Sequence, residues 1–203
     1  METAVVIIFS YICGSIPFGL IITKIFTDQD IRKIGSGNIG ATNVLRTGKK
    51  YLAITTLLLD VIKGYIPVLI TVQFFPQLIQ LSALIVFLGH IFPIWLKFSG
   101  GKGVATYLGV LFALSFSLSL LFIFTWVVVS LIFKYSSISS IFSSLTVAVV
   151  SVLKDSIVGS INPNLLSGHD IKIILFIFFI LIVFTHRKNI LNLKNKTETK
   201  IKI

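Results

Sequence analysis

The chain has 203 residues, of which 55% are hydrophobic and 12% are charged, and it carries a formal net charge of +11. Together with a mean hydropathy of +1.00, this composition excludes an ordinary soluble domain. The positive charge is not typical of a nucleic-acid-binding protein, because the cations lie in short segments between apolar runs and no soluble domain presents them. We therefore expect no nucleic-acid partner. Cations next to apolar runs indicate membrane topology and contact with anionic membrane lipids.

Apolar runs near 20 residues long predict membrane-spanning helices. They cover residues 4–23, 52–75, 78–96, 107–133, 138–153 and 171–185. The fourth run, of about 27 residues, is long for one crossing and is predicted to be two short helices that turn near residues 117–119. The sequence thus predicts an all-α, polytopic integral-membrane helical bundle of seven segments, with five segments as the alternative. Residues 1–203 are expected to form a single membrane domain.

The positions of the cations predict the orientation of the bundle. Basic segments follow the first, third, fourth and last runs, whereas residues 76–77 and 159–170 contain no lysine or arginine. If every basic segment faces the cytoplasm, the positive-inside rule is satisfied. This places the N-terminus outside and the C-terminus in the cytoplasm.

Three polar stretches fall on the predicted cytoplasmic side. Residues 30–50 are rich in glycine, small hydroxyls and cations, which suits a loop whose backbone N–H groups turn inward around an anion. Residues 89–106 contain Gly-Gly-Lys-Gly at a predicted helix start, where backbone amides and the Lys102 ammonium can bind phosphate. This run lacks the spacing of a nucleotide P-loop. The third stretch, 186–193, leads to Glu198.

Together these stretches resemble the signature motifs of the bacterial acyl-phosphate:glycerol-3-phosphate acyltransferase family. The first motif matches throughout residues 35–46, Gly-Ser-Gly-Asn-Ile-Gly-Ala-Thr-Asn-Val-Leu-Arg. The second and third match at Gly89-His90, Pro93, Phe98, Gly100-Gly-Lys-Gly-Val-Ala-Thr106, His186-Arg187, Asn189-Ile190, Leu193 and Glu198. Residues 14–19 and 60–64 also agree, so the resemblance extends along the whole chain in the expected order.

A few positions depart from the family pattern. The family usually has lysine, arginine, glycine and proline where this chain has Ser99, Asn192, Lys196 and Thr199. The segment 134–140 is also looser than the family's pattern. These departures leave the positions of Lys102, His186 and Asn189 intact.

The resemblance implies transfer of a fatty acyl group from a fatty acyl phosphate to the 1-hydroxyl of sn-glycerol 3-phosphate. The products are 1-acylglycerol 3-phosphate and inorganic phosphate, the first acylation of phospholipid biosynthesis, on the cytoplasmic face of the bacterial cell membrane. No cofactor or metal is implied. The implied partners are the two substrates, membrane lipids and the upstream enzyme that forms acyl phosphate. An acyl phosphate is an activated mixed anhydride, so positioning can suffice without a covalent enzyme intermediate.

The resemblance also assigns roles to individual residues. Catalytic roles fall to His186, Asn189 and Lys102. Phosphate binding falls to Ser36, Gly37, Asn38, Thr42, Asn43, Arg46, Gly100, Gly101, Gly103, Ser137 and Ser140. Structural support is expected from Glu198, which could pair with a cation, and from Asp60 and Lys63, which are spaced to pair on one helix face.

Several alternatives remain open at this point. His186 is a candidate general base for the attacking hydroxyl, a hydrogen-bond donor while the substrate's own phosphate accepts the proton, or an interfacial histidine without a chemical role. Ser36, Thr42 and Asn43 could cap a helix as well as bind phosphate. Asn38 could only brace its loop, the glycines of the two loops could serve backbone shape rather than chemistry, and Ser137 and Ser140 could form a polar helix boundary. His90 is expected to be a hydrogen-bonded histidine inside the membrane. The alternative functions are a transporter of anions or phosphate esters, which can also use glycine-rich loops and cations, and a non-catalytic membrane scaffold.

Overall fold

Helices form all the regular structure in residues 1–153 and 168–201, which the computed structural model describes (backbone only for 168–170). The prediction of an all-α chain is confirmed for these residues. The chain divides into two compact units, Met1–Val110 and Leu111–Ile203, and each is described by itself below. Most of the predicted cation-free segment 159–170 lies outside the described residues.

The first unit contains helices of different lengths and the polar loops between them. Its helices are α1 (Glu2–Ser15), α2 (Phe18–Thr27), the short α3 (Ala41–Val44), α4 (Lys50–Phe74), α5 (Ile79–Ile91) and the start of α6 (Val104–Leu114). Pro17 separates α1 from α2 because proline lacks an N–H and holds the preceding Ile16 in an extended conformation.

Glycines allow the helices of this unit to approach closely. A Cβ on Gly14 would lie 2.0 Å from the carbonyl oxygen of Val86, and one on Gly64 would lie 2.2 Å from that of Thr106. Helix α1 therefore packs backbone to backbone on α5, and α4 does the same on α6. Close packing of this kind is how helices associate in membranes, where apolar surface alone gives little driving force.

The second unit contains α7 (Phe116–Phe133), α8 (Ser136–Leu153), α9 (Gly168–Thr185) and α10 (Arg187–Lys194). Helix α8 packs against both α7 and α9. Many serines of α8 are buried, and Ser139, Ser140 and Ser143 donate their hydroxyls to carbonyls four residues earlier. These bonds satisfy the hydroxyls inside the helix and allow a small-residue face to pack closely.

Within residues 1–153 and 168–201, five helical stretches are long and apolar enough to cross a membrane: Glu2–Thr27, Lys50–Phe74, Pro76–Leu96, Phe116–Phe133 and Ser136–Leu153. The pair Ile171–Thr185 and Arg187–Lys194, bent by 54°, would make a sixth if taken as one span. Large apolar side chains such as Leu58 and Phe124 are exposed on these helices, as expected for surfaces that face lipid.

The fourth apolar run is divided, as predicted. The break falls at Ser115, two residues before the predicted turn, and the Ser115 side chain accepts a hydrogen bond from the N–H of Leu118 at the start of α7. Helix α6 has 11 residues, a length of about 17 Å, which is roughly half of the hydrocarbon thickness. The seven segments and the orientation of the termini stay predictions.

Candidate active site

The first polar loop, residues 34–46, is organised by the side chain of Asn43. Its Nδ2 lies 3.1, 2.9 and 2.8 Å from the carbonyl oxygens of Ile31, Ile34 and Asn38, and its Oδ1 accepts a hydrogen bond from the N–H of Ser36. Asn43 is buried. Its predicted direct contact with phosphate finds no support here, because the amide is engaged by the loop's own backbone. Asn43 holds the loop's shape.

The outer surface of this loop presents groups that can reach an anion. Ser36 and Arg46 are exposed, and Thr42 is half-buried at the start of α3. Gly35 and Gly37 have φ of +54° and +70°, a region that residues with a Cβ rarely adopt. A Cβ on Gly35 would lie 2.6 Å from Arg46 Cδ, so the arginine stem packs against this glycine.

Asn38 also serves the loop backbone. Its Oδ1 accepts a hydrogen bond from the N–H of Gly40 at 3.2 Å, which forms a local turn just before α3. Beneath the loop lies a buried apolar cluster that fixes it to the helices on either side: Ile22, Ile31, Ile39, Val44, Leu52 and Ala53.

A fixed ion pair precedes the first loop. The Arg32 guanidinium donates to both oxygens of Asp30 at 2.9 and 2.7 Å, and the Arg32 N–H donates to Asp30 Oδ1. These hydrogen bonds lower the pKa of the Asp30 carboxyl from 3.8 to about 2. Asp30 therefore caps the turn Ile31–Lys33 as a carboxylate at any physiological pH.

The second polar loop, residues 97–103, folds back onto the end of α5. The N–H of Gly100 donates to the carbonyl of Ile91, and the N–H of Gly101 donates to that of His90. These two amides were predicted to bind phosphate. In the structure both amides cap the C-terminal end of α5, which agrees with a role of these glycines in the shape of the loop. Their contact with phosphate stays a prediction.

The glycines of the second loop fit against side chains of α5. A Cβ on Gly101 would lie 2.1 Å from His90 Nε2, and one on Gly103, where φ is +82°, would lie 2.2 Å from the Phe87 ring. Lys102 is half-buried between these glycines, immediately before the N-terminus of α6. A helix N-terminus and an adjacent ammonium together favour a bound phosphate.

In the second unit, His186 lies at the bend between α9 and α10. Its side chain is buried, and Nδ1 lies 2.8 Å from the carbonyl oxygen of Ile182. Because a carbonyl can only accept, the proton of the neutral imidazole is on Nδ1 and the lone pair is on Nε2. Asn189 is buried one turn later on α10.

Glu198 joins three parts of the second unit. Its Oε1 accepts from Asn189 Nδ2 at 2.6 Å and from the Ser137 hydroxyl at 3.2 Å, and its Oε2 accepts from Asn192 Nδ2 at 3.4 Å. The structural role expected for Glu198 agrees with these contacts, although the partners found are amides and a hydroxyl rather than the expected cation. The tail also donates from the N–H of Ile201 to the carbonyl of Lys134.

Ser137 and Ser140 were predicted to bind phosphate, and the structure gives both hydroxyls other partners. Ser137 donates to Glu198, while Ser140 donates to the carbonyl of Ser136 and accepts from Trp126 Nε1. Both serines are buried. These contacts serve the packing of α8, and the binding of phosphate by Ser137 and Ser140 stays a prediction.

Asp60 and Lys63 pair on α4 as predicted. The distance from Lys63 Nζ to Asp60 Oδ1 is 2.7 Å, and Nζ also donates to the carbonyl of Ile16 at the break between α1 and α2. His90, expected to be hydrogen-bonded, has no partner for Nδ1 among the described residues. It lies 4.0 Å from Asp60 Oδ1.

Comparison with known proteins identifies the family. The family model for glycerol-3-phosphate acyltransferase matches residues 4–196. The chain belongs to the glycerol-3-phosphate acyltransferase family. A glycerol-3-phosphate acyltransferase from Pelagibacter ubique (strain HTCC1062) is 52% identical over 203 residues, which are 100% of both chains. One from Wolbachia sp. subsp. Brugia malayi (strain TRS) is 47% identical and covers 98% of this chain and 99% of its own.

Two crystal structures of an integral membrane glycerol 3-phosphate acyltransferase, PlsY (YgiH), share the fold. The glycerol 3-phosphate form has a TM-score of 0.88 at 33% identity and covers 100% of this chain and 96% of its own. The lysophosphatidic acid form has a TM-score of 0.85 at 33% identity and covers 98% and 95%.

These findings confirm the resemblance seen in the motifs. The chain is an integral-membrane acyltransferase of phospholipid biosynthesis that acts on glycerol 3-phosphate. Membership of this family favours an enzyme over the transporter and the scaffold that the sequence left open.

Proposed function

We propose that this enzyme takes its acyl group from a fatty acyl phosphate. The oxygen of the 1-hydroxyl of sn-glycerol 3-phosphate attacks the acyl carbon, the bond from that carbon to the phosphate oxygen breaks, and inorganic phosphate leaves with the electron pair. The product is 1-acylglycerol 3-phosphate. The upstream enzyme that forms acyl phosphate supplies the donor.

The first unit offers cationic and hydroxyl ligands for phosphate. Lys102 precedes the N-terminus of α6, and Arg46 and Ser36 lie on the outer surface of the first loop. Arginine suits bidentate contact with phosphate oxygens, and an ammonium suits a point contact. Both substrates carry a phosphate, and negative charge grows on the leaving phosphate during the reaction. Fixed cations therefore favour binding and also stabilise that charge.

The hydrogen bond from His186 Nδ1 to the carbonyl of Ile182 is the observation that carries the catalytic proposal. It leaves a lone pair on Nε2 of the neutral ring, and that nitrogen can accept the proton of the attacking hydroxyl. Asn189, held at 2.6 Å by the Glu198 carboxylate, is proposed to orient the substrate or the His186 ring. Of the two chemical roles left open by the sequence, this geometry favours the general base.

The donor is tested with the purified enzyme in lipid. Glycerol 3-phosphate is supplied with either palmitoyl phosphate or palmitoyl-CoA, and product is compared between wild type and Lys102→Ala. We expect product from the acyl phosphate only, with a large loss in the variant. Equal use of palmitoyl-CoA would contradict the proposed donor. No product from either donor, with folded wild-type protein, would contradict the proposed reaction.

The role of His186 is tested with His186→Gln and His186→Ala. The glutamine amide can donate a hydrogen bond from near the position of Nε2 but cannot accept a proton. A general base therefore predicts that both variants lose activity alike, by about 10²–10⁴-fold. If glutamine keeps most of the activity, His186 is a hydrogen-bond donor and the substrate phosphate takes the proton.

We further propose that the enzyme lies in the bacterial cell membrane, as one domain with seven segments and with the polar loops in the cytoplasm. In a Cys13→Ser background, single cysteines are placed at Lys50 and Gln77, both of which are exposed. A membrane-impermeant thiol reagent added to intact cells should label position 77 and spare position 50. Labelling of position 50 alone would reverse the orientation.

A further inference from the structure

Three ionisable side chains that are not themselves proposed to touch substrate are buried together in the first unit. Asp60, Lys63 and His90 are 2%, 5% and 4% exposed. The Lys63 ammonium is committed to Asp60 and to the carbonyl of Ile16, each at 2.7 Å. Burying a pair of charges contributes little to stability by itself. The role of the pair is therefore sought in its position and its neighbours, and not in its contribution to the free energy of unfolding.

The imidazole of His90 lies between this ion pair and the second loop. On one side, Nδ1 is 4.0 Å from Asp60 Oδ1 and has no hydrogen-bond partner among the described residues. A movement of about 1 Å would bring the two atoms to hydrogen-bond distance. On the other side, the ring packs on the backbone of Gly101, where a Cβ would lie 2.1 Å from Nε2.

The same stretch of α5 supports the loop at two points. His90 is packed on Gly101, and Phe87, one turn earlier, is packed on Gly103. The residue between these two contacts is Lys102. The main chain that carries the lysine therefore rests on two side chains of one helix, and His90 is the ionisable one of the two.

We propose that His90 is a positioning residue for Lys102. After a movement of about 1 Å, the Asp60 carboxyl accepts a hydrogen bond from His90 Nδ1–H, and this bond orients the ring. The ring supports the backbone of Gly101 and thereby fixes the position of the Lys102 ammonium. Lys63, 2.7 Å from Asp60 Oδ1, holds the Asp60 carboxyl in place. This inference rests on the proposed role of Lys102 in binding phosphate. His90 itself does not touch substrate.

Two double variants distinguish the effect of the proposed Asp60–His90 contact from the effect of the Asp60–Lys63 charge pair. D60N/K63M keeps an oxygen that can accept from His90 Nδ1, whereas D60L/K63M has an apolar group of similar size at that position. Both remove the two buried charges and the contact with Ile16, so they differ only in the side chain at position 60, which is a polar amide in one and an apolar group in the other. Ser82→Ala, which removes the buried Ser10–Ser82 contact on the same helix α5, is the control for loss of a buried polar group.

Steady-state constants for both substrates are measured for each protein. We expect D60L/K63M to have a KM for a phosphate-bearing substrate about tenfold above that of D60N/K63M, the effect of about one buried hydrogen bond. The fall in kcat should be smaller, because the reacting groups remain. In a His90→Phe background, which has no Nδ1–H, the two double variants should have the same KM. Ser82→Ala should behave as wild type.

Binding without turnover gives an independent readout. The rise in Tm caused by inorganic phosphate or by glycerol 3-phosphate should be smaller in D60L/K63M than in D60N/K63M, and the Tm without ligand reports folding. Equal KM values and equal Tm rises in the two double variants would overturn the proposal, as would a difference that persists with His90→Phe. If wild type makes no product, the proposed function fails, whereas the positioning role is still decided by the phosphate-induced Tm rise.

Discussion

The two polar loops of the first unit are both rich in glycine, but they are held in different ways. The loop 34–46 is organised by one polar side chain, Asn43, which binds four backbone groups. The loop 97–103 is held by its own backbone, through the N–H groups of Gly100 and Gly101 and through contact with His90 and Phe87.

This difference shows that glycines in similar motifs can meet different physical requirements. In the first loop, Gly40 has ordinary φ and would place a Cβ no closer than 3.8 Å to its nearest neighbour. In the second loop, a Cβ on Gly101 would overlap the His90 ring. Gly40 in the first loop should therefore tolerate a methyl group, whereas loss of the Asn43 side chain should disrupt that loop. In the second loop, a methyl group on Gly101 should disrupt the structure.

The largest expected effect is that of Gly101→Ala. The new methyl group must displace His90 or the loop, and a shift of about 1 Å at a phosphate ligand can cost about 100-fold in activity. Gly40→Ala is the matched change in the first loop and should leave Tm unchanged. Activity with acyl phosphate and Tm are measured for both variants.

Two results would contradict this part of the comparison. If Gly101→Ala keeps wild-type activity, the second loop is not fixed by its fit to His90. If Gly40→Ala lowers Tm as much as Gly101→Ala does, neither loop has room for a Cβ at its glycine, and the distinction between the two loops is wrong. Loss of activity alone in Gly40→Ala would instead indicate that substrate approaches the backbone there.

An intermediate effect is expected for Asn43. Replacement by alanine leaves buried carbonyls and the Ser36 N–H without their partner, which should lower the free energy of unfolding by about 2–4 kcal/mol. Asn43→Asp keeps the acceptor for Ser36 and loses the donors to the three carbonyls. Denaturation in detergent should rank wild type above both variants. Wild-type stability in Asn43→Ala would show that the first loop, too, is held by its backbone.

The smallest expected effect is that of Asp30→Asn, at the entry to the first loop. The pKa of Asp30 is lower in the folded protein than in the unfolded chain, about 2 against 3.8. Its contribution to stability is therefore present above pH 3.8 and is lost as the pH falls through about 2. The difference in Tm between wild type and Asp30→Asn should be small at pH 7 and should shrink between pH 4 and pH 2. A difference that grows on acidification would contradict the assigned role.

Much of the fold follows from the sequence because length and hydropathy fix where a helix can cross a membrane. The division of the run 107–133 and the pairing of Asp60 with Lys63 were predicted from length and from helical spacing, and the structure confirms both. The family was identifiable because three motifs occur in order along one chain. The number of crossings was harder to predict, since α6 is too short for a full crossing and α9 continues into α10 through a bend.

Individual site residues were less predictable, because a motif shows which groups are present and not how they are used. The N–H groups of Gly100 and Gly101 cap α5, and the hydroxyls of Ser137 and Ser140 bond within their own unit. Both facts depend on which elements meet in space. The proximity of His90 to Asp60 was missed for the same reason, although two ionisable residues on neighbouring apolar segments are a signal that could have suggested it.

At the start of the C-terminal tail, Lys196 stands where the family usually has glycine, and its φ is +59°. A side chain in this left-handed region costs about 1–2 kcal/mol. The contacts of Glu198 and Ile201 evidently offset this cost, since the tail is still docked on the second unit.

The ion pair of α4 also bears on how the protein is made. A lone Asp or Lys at the centre of a membrane helix costs about 2.5–3.5 kcal/mol on insertion. Asp60 and Lys63 are on the same helix, so each can neutralise the other as soon as α4 leaves the ribosome, before any later segment has inserted. Lys63 also contacts the carbonyl of Ile16 and the ring of Phe18, which belong to a segment synthesised earlier. The first two spans can therefore insert in the order in which they are translated, and the Lys63–Ile16 hydrogen bond then joins them.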